Sequence, residues 1–103
     1  MPAAIVQYVF KPNPGCDLPQ LMGLVKEGAT LWRAHGGEVR LWSVQVGEIG
    51  NLAFTVGFES SAKLGATLEA LNNDPAMAAW RARNLKAGLA TWVRSNQAYE
   101  IPI

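Results

Sequence analysis

Six side chains carry the chemistry this sequence offers: Tyr8, His35, Arg40, Trp42, Trp80 and Arg94. His35 is the single histidine of the chain, and an imidazole is the side chain whose ordinary pKa suits a general base near neutrality. It precedes Gly36-Gly37, so its alternative role is to meet the dipole at the end of a helix. Arg40 and Arg94 sit within β-prone runs that otherwise read as buried. A buried guanidinium needs an anionic partner. That partner is either the anion of a substrate or one of the carboxylates Glu38, Glu59 and Glu100. Four tryptophans, Trp32, Trp42, Trp80 and Trp92, supply flat apolar surface for a ligand pocket, or equally for a core and a subunit interface. Gln7, Tyr8, Thr55, Asn96 and Tyr99 are strand polars able to hold a ligand. Gln7 and Tyr8 face opposite sides of an unbulged strand, so at most one of them enters a pocket on a given face.

Other features point away from familiar chemistries. One histidine and one cysteine, Cys16, at distant positions have no zinc spacing, and no metal or other cofactor is expected. The turn Gly47-Glu-Ile-Gly50 joins two strands and opens no helix, so it is not a phosphate loop. Arg81, Arg83 and Lys86 are too sparse for a nucleic-acid footprint and read as a solvated helix face. A net charge of +1 argues against nucleic acid or a membrane surface as partner. The N-terminus lacks the basic start of a secretory signal, no apolar run is long enough to span a bilayer, and the lone cysteine suits the cytoplasm.

The elements that position these residues follow from pattern. Residues 3–10 are rich in β-branched and aromatic types and form a strand, and residues 11–16, with two prolines and a glycine, form a loop. Asp17 caps a helix whose apolar stripe runs through Leu21, Val25, Ala29 and Trp32 to His35-Gly-Gly37. Residues 38–46 and 52–59 make a hairpin about the 47–51 turn. Ser60 and Ser61 open a second helix, Asn72-Asn73 interrupts it, and Asp74-Pro75 restarts it towards Gly88. Residues 91–101 form the last strand. The order β-α-β-β-α-β places two helices on one face of a four-stranded antiparallel sheet, a ferredoxin-like α+β domain spanning residues 1–103. The strands show no consistently polar side, and only 17% of residues are charged. A second copy packed sheet to sheet would bury the remaining face, so a homodimer is expected.

In four places the chain resembles the dimeric α+β barrel proteins, in particular the NIPSNAP-like group related to antibiotic-biosynthesis-monooxygenase-type domains. These places are Trp42 late in the second strand, the turn 47–51, the Phe58-Glu-Ser60 junction, and Asn73-Asp-Pro-Ala-Met-Ala-Ala-Trp80. The resemblance implies a small-molecule pocket between sheet and helices, with Trp42 and Trp80 shaping it. It also implies an activity of the cofactor-independent monooxygenase or isomerase kind on an aromatic or apolar substrate, or alternatively a non-catalytic ligand-binding or accessory dimer. In the catalytic version Arg40 or Arg94 stabilises the substrate anion, His35 is the base at the rim, and Tyr8 is a further substrate-binding residue. Haem-degrading relatives carry an axial histidine on the second helix. This chain has none there, so haem is not expected.

Overall fold

The computed structural model describes residues 2–103. Its elements are β1 (Ala4–Pro12), α1 (Leu18–Ala34), β2 (Glu38–Ser43), β3 (Leu52–Phe58), α2 (Ser61–Asn72), α3 (Pro75–Ala87) and β4 (Ala90–Tyr99). The four strands form an antiparallel sheet in the order β2-β3-β1-β4. This is the expected α+β ferredoxin-like arrangement, with the second helix broken into α2 and α3. Strand boundaries differ: β2 stops at Ser43 rather than 46, β4 runs Ala90–Tyr99 rather than 91–101, and β1 runs on through Lys11 and Pro12, which pair with Thr91 and Ala90. Proline is tolerated at a strand end, where its missing N–H costs little.

Each helix begins at a side-chain cap. The Asp17 carboxylate accepts from Gln20 N at 3.1 Å, Ser60 Oγ from Lys63 N at 3.1 Å, and the Asp74 carboxylate from Ala76 N at 2.9 Å. Such a cap is worth about 1 kcal/mol. The interruption at Asn72-Asn73 has a physical reason. Asn73 N–H bonds back to Glu69 and Ala70, closing α2, and Pro75 then opens α3 at a position where no N–H is needed. Asp74 also fastens α3 to α1, because His35 Nε2 lies 3.3 Å from Asp74 Oδ2. The Ala76 amide, and after it the His35 bond, hold the Asp74 carboxyl below its ordinary range.

The core lies between the helices and one sheet face. Directly opposed pairs Ala4–Phe58, Val6–Val56, Tyr8–Phe54 and Phe10–Leu52 point towards the helices. From the helices, Leu21, Ala29, Trp32, Leu64, Leu71 and Met77 meet them. The other face carries Ile5, Val9 and Ala53, but also Gln7, Thr55, Arg40, Asn96 and Arg94. The expectation of strands apolar on both faces is therefore corrected. Alternation is present, and the outer face is mixed rather than apolar.

A bulge interrupts the β1–β4 ladder between Val9 and Phe10. Val9 pairs with Arg94 while Phe10 pairs with Trp92, so Val93 is the extra residue. Without it, Trp92 and Arg94 would share a face. With it, Trp92 joins Phe10 on the helix side and Arg94 joins Val9 on the outer side.

Where α1 turns into β2, the chain passes tightly over the core. A Cβ built on Gly37 would lie 2.5 Å from Val56 Cγ1 and 3.2 Å from the Trp32 carbonyl oxygen. Val56 is fully buried, so neither neighbour has room to yield. Gly65, in α2, has nothing within 4 Å of the same position. We expect Gly37→Ala to cost about 1–3 kcal/mol of stability by overpacking. Gly65→Ala should add about 0.5–1 kcal/mol through helix propensity. Denaturant midpoints of the two variants would check this, and a neutral Gly37→Ala would contradict the packing described.

Candidate functional site

A cavity of about 570 Å³ opens between α1, α3 and the β1–β4 side of the sheet. Its floor is strand: Tyr8 and Phe10 of β1, Phe54 of β3, and Ala90 and Trp92 of β4. Its walls are helical: Leu21, Val25, Gly28 and Trp32 from α1, and Met77, Trp80, Arg81, Asn84 and Leu85 from α3, with Gly88 beyond. The α3 contribution follows the spacing 77-80-81-84-85-88, one face of a 3.6-residue helix. That face includes an arginine and an asparagine among apolar neighbours.

The walls are held apart by one contact. The Trp80 indole lies against Gly28, where a Cβ would come within 2.9 Å of its Cζ2 atom. Its Nε1–H donates to the Leu24 carbonyl at 2.8 Å, an oxygen of α1. Next to this contact, Arg83 pairs with Glu27 at 2.6 Å, and at the far end His35 meets Asp74. The contacts run in opposite directions along the two helices, so α3 lies antiparallel to α1.

On the floor, the Tyr8 ring is surrounded by aromatics. Its centroid is 6.0 Å from that of Trp32, 6.4 Å from Phe54 and 5.3 Å from Trp92, all in tilted geometries. Burial pushes the Tyr8 hydroxyl pKa up, and the nearby positive charge of Arg81 draws it partly back down. The hydroxyl therefore stays protonated at neutral pH and is available as a donor. The Arg81 guanidinium donates from Nη1 and Nη2 to Asn72 Oδ1, both at 3.3 Å. Four ion pairs occur among the described residues, and Arg81 belongs to none of them.

The six residues singled out from the sequence divide sharply. Tyr8 and Trp80 line the cavity. Trp42 does not, and its pairing with Trp80 is corrected. In the β2–β3 ladder Trp42 stands opposite Ala53 on the outer face, and it is Leu41, opposite Phe54, that turns to the helices. The Trp42 indole is half exposed and donates to Thr55 Oγ1 at 2.9 Å. Arg40 is also on the outer face, exposed and paired with Glu38 at 2.9 Å. Arg94 is there too, paired with Glu48 of the β2–β3 connection rather than with Glu38, Glu59 or Glu100. That bond draws the Glu48 carboxyl below its usual range. His35 sits at the C-terminal end of α1, outside the cavity lining. His35 and Arg40 are thus not brought together with Tyr8 and Trp80.

Two polar cavity residues, Arg81 and Asn84, were not singled out from the sequence. The signal was present in the 77-80-81-84-85 spacing; Arg81 is exposed like Arg83 and Lys86, as the solvated-face reading expects, and in addition borders the cavity. Trp92 reaches the floor through a bulge that nothing in its local sequence announces. Among the described residues no three His, Cys, Asp or Glu side chains come together, and no helix is long and apolar enough to cross a membrane.

No family model matches the sequence, and no curated protein compared with it does. Solved structures do match the fold. An uncharacterized NIPSNAP domain protein from Burkholderia xenovorans superposes with a TM-score of 0.72 at 16% identity, covering 97% of this chain and 94% of that one. A NIPSNAP family protein from Agrobacterium tumefaciens gives 0.68 at 17% identity over 97% and 93% of the two chains. A proposed antibiotic biosynthesis monooxygenase from Chloroflexus aurantiacus gives 0.59 at 14% identity over 96% and 93%. At these identities the likeness speaks for the fold. The chain has the fold shared by NIPSNAP-domain proteins and antibiotic-biosynthesis-monooxygenase-type domains, in agreement with the resemblance read from its sequence.

Proposed function

We propose that this protein binds a planar, largely apolar small molecule in the cavity between α1, α3 and the sheet. One observation carries the reading: a cavity of about 570 Å³ walled by Trp32, Trp80 and Trp92 with few polar groups. Ligand sites are typically concave spaces of about 300–1,000 Å³, mostly apolar, with a small number of polar groups that orient the bound molecule. A space lined by three indoles and two phenyl rings favours a flat ligand.

A second reading, turnover, is favoured by the Tyr8 hydroxyl and the Arg81 charge at that cavity. Fixed donors aimed at a developing charge stabilise an enolate or phenolate as it forms. A cofactor-independent monooxygenase or isomerase works in this way. The purified protein converting such a substrate unaided would separate an enzyme from a non-catalytic binding or accessory protein. We further propose that the working form is a homodimer paired through the outer sheet face. This accords with the exposure of β4 along nearly its whole length and with the half-exposed Trp42 on that face. The cytoplasm suits a chain with one cysteine, Cys16.

Calorimetric titration with 2-naphthamide, a flat neutral probe, tests the cavity. The wild type should bind one molecule per chain. Val25→Trp, which fills the space from the half-buried α1 wall, should abolish binding and leave the thermal melt within a few degrees of wild type. Equal affinity in the two proteins, or no binding by either, would remove the proposal. Sedimentation at micromolar concentration should give twice the chain mass, and a stable monomer there would contradict the pairing.

A further inference from the structure

We propose that Arg81, together with Tyr8 of the same cavity lining, forms an anion subsite, and that the natural ligand is therefore an aromatic carboxylate rather than a neutral aromatic. This deepens the cavity reading above and rests on it. Three observations carry it.

First, Arg81 is an arginine without a counter-charge. Three other arginines have a carboxylate, Arg40 with Glu38, Arg83 with Glu27 and Arg94 with Glu48, while Arg33, which does not line the cavity, has like Arg81 only a neutral oxygen, the Val39 carbonyl. Arg81 touches only the neutral Asn72 oxygen. A guanidinium has five N–H donors and this bond uses two of its nitrogens on one acceptor, leaving donors for a ligand.

Second, its position is set by helix geometry. Arg81 stands next to Trp80 and four residues after Met77, on the cavity face of α3, with Asn84 and Leu85 one turn on. Its outward-looking neighbour Arg83 is instead tied to α1 through Glu27. The two arginines of one helix thus do different things.

Third, Tyr8 presents a second donor to the same space. Tyr8 lines the cavity together with Arg81, its ring 5.3 Å from that of Trp92, and burial raises its hydroxyl pKa, so the group is a donor at neutral pH. Two donors of this kind, one cationic and planar, match the two oxygens of a carboxylate. The ring of such a ligand would rest against Trp80 and Trp92, with the carboxylate towards Arg81 and Tyr8.

The test compares 2-naphthoate with 2-naphthamide, a pair matched in shape and differing in charge, by calorimetry at pH 7 and low ionic strength. The wild type should prefer the carboxylate by about tenfold or more, the usual scale of a charge-assisted hydrogen bond. Arg81→Gln should reduce naphthoate affinity to that of the naphthamide. Arg83→Gln, which removes the same charge from the same helix outside the cavity, should keep the preference. Equal binding of both probes by the wild type would overturn the anion subsite while leaving the cavity reading intact. Loss of the preference in Arg83→Gln as well would assign it to net charge and overturn it too. Binding of neither probe would remove the cavity reading, and the subsite with it.

Discussion

The cavity depends on an indole resting on a glycine. Trp80 of α3 packs against Gly28 of α1 and hands its N–H to the Leu24 carbonyl. Absence of a side chain at position 28 lets the ring approach the α1 backbone, and the hydrogen bond fixes its tilt. A larger residue there would push α3 away or turn the ring into the empty space. This contact joins the two helices on one side of the sheet, and the Glu27–Arg83 and His35–Asp74 pairs lie on either side of it. The exposed Glu27–Arg83 pair adds little stability of its own.

From that constraint the remaining geometry follows. With the helices spaced by Trp80, the sheet supplies a floor on which Tyr8 is ringed by Trp32, Phe54 and Trp92. The β4 bulge is what brings Trp92 there. The same bulge sends Arg94 to the opposite face, where Glu48 holds it. One extra residue in one strand therefore separates the aromatic surface of the cavity from the charged pair on the outside. The cavity keeps one strong charge, Arg81, at its helical wall.

Most of the architecture was legible from local pattern. Asp17, Ser60 and Asp74 act as the caps their types and positions suggest, and the 47–51 turn joins β2 to β3. The broken second helix was marked by Asn72-Asn73 and Pro75. The site was less legible, for reasons of register. Strand faces alternate every residue, so placing Trp42 required knowing which of Leu41 and Trp42 faces the helices. Both are large and apolar, and composition does not decide between them. Only pairing with Phe54 and Ala53 does. Arg40 and Arg94 looked buried because their strands are apolar, yet both lie on the outer face with acidic partners. Arg81 is exposed, as its basic neighbours suggest, and what the composition did not show is that helical spacing also sets it at the edge of the cavity.

The four indole N–H groups give a direct reading of where a ligand sits. They belong to Trp32, Trp80 and Trp92 at the cavity and Trp42 on the outer face. In a ¹H–¹⁵N correlation spectrum with the indole resonances assigned by single Trp→Phe variants, titration with 2-naphthoate should shift the Trp80 and Trp92 signals and leave Trp42 in place. Movement of Trp42 with the Trp80 and Trp92 signals unchanged would put the ligand on the outer sheet face and contradict the account.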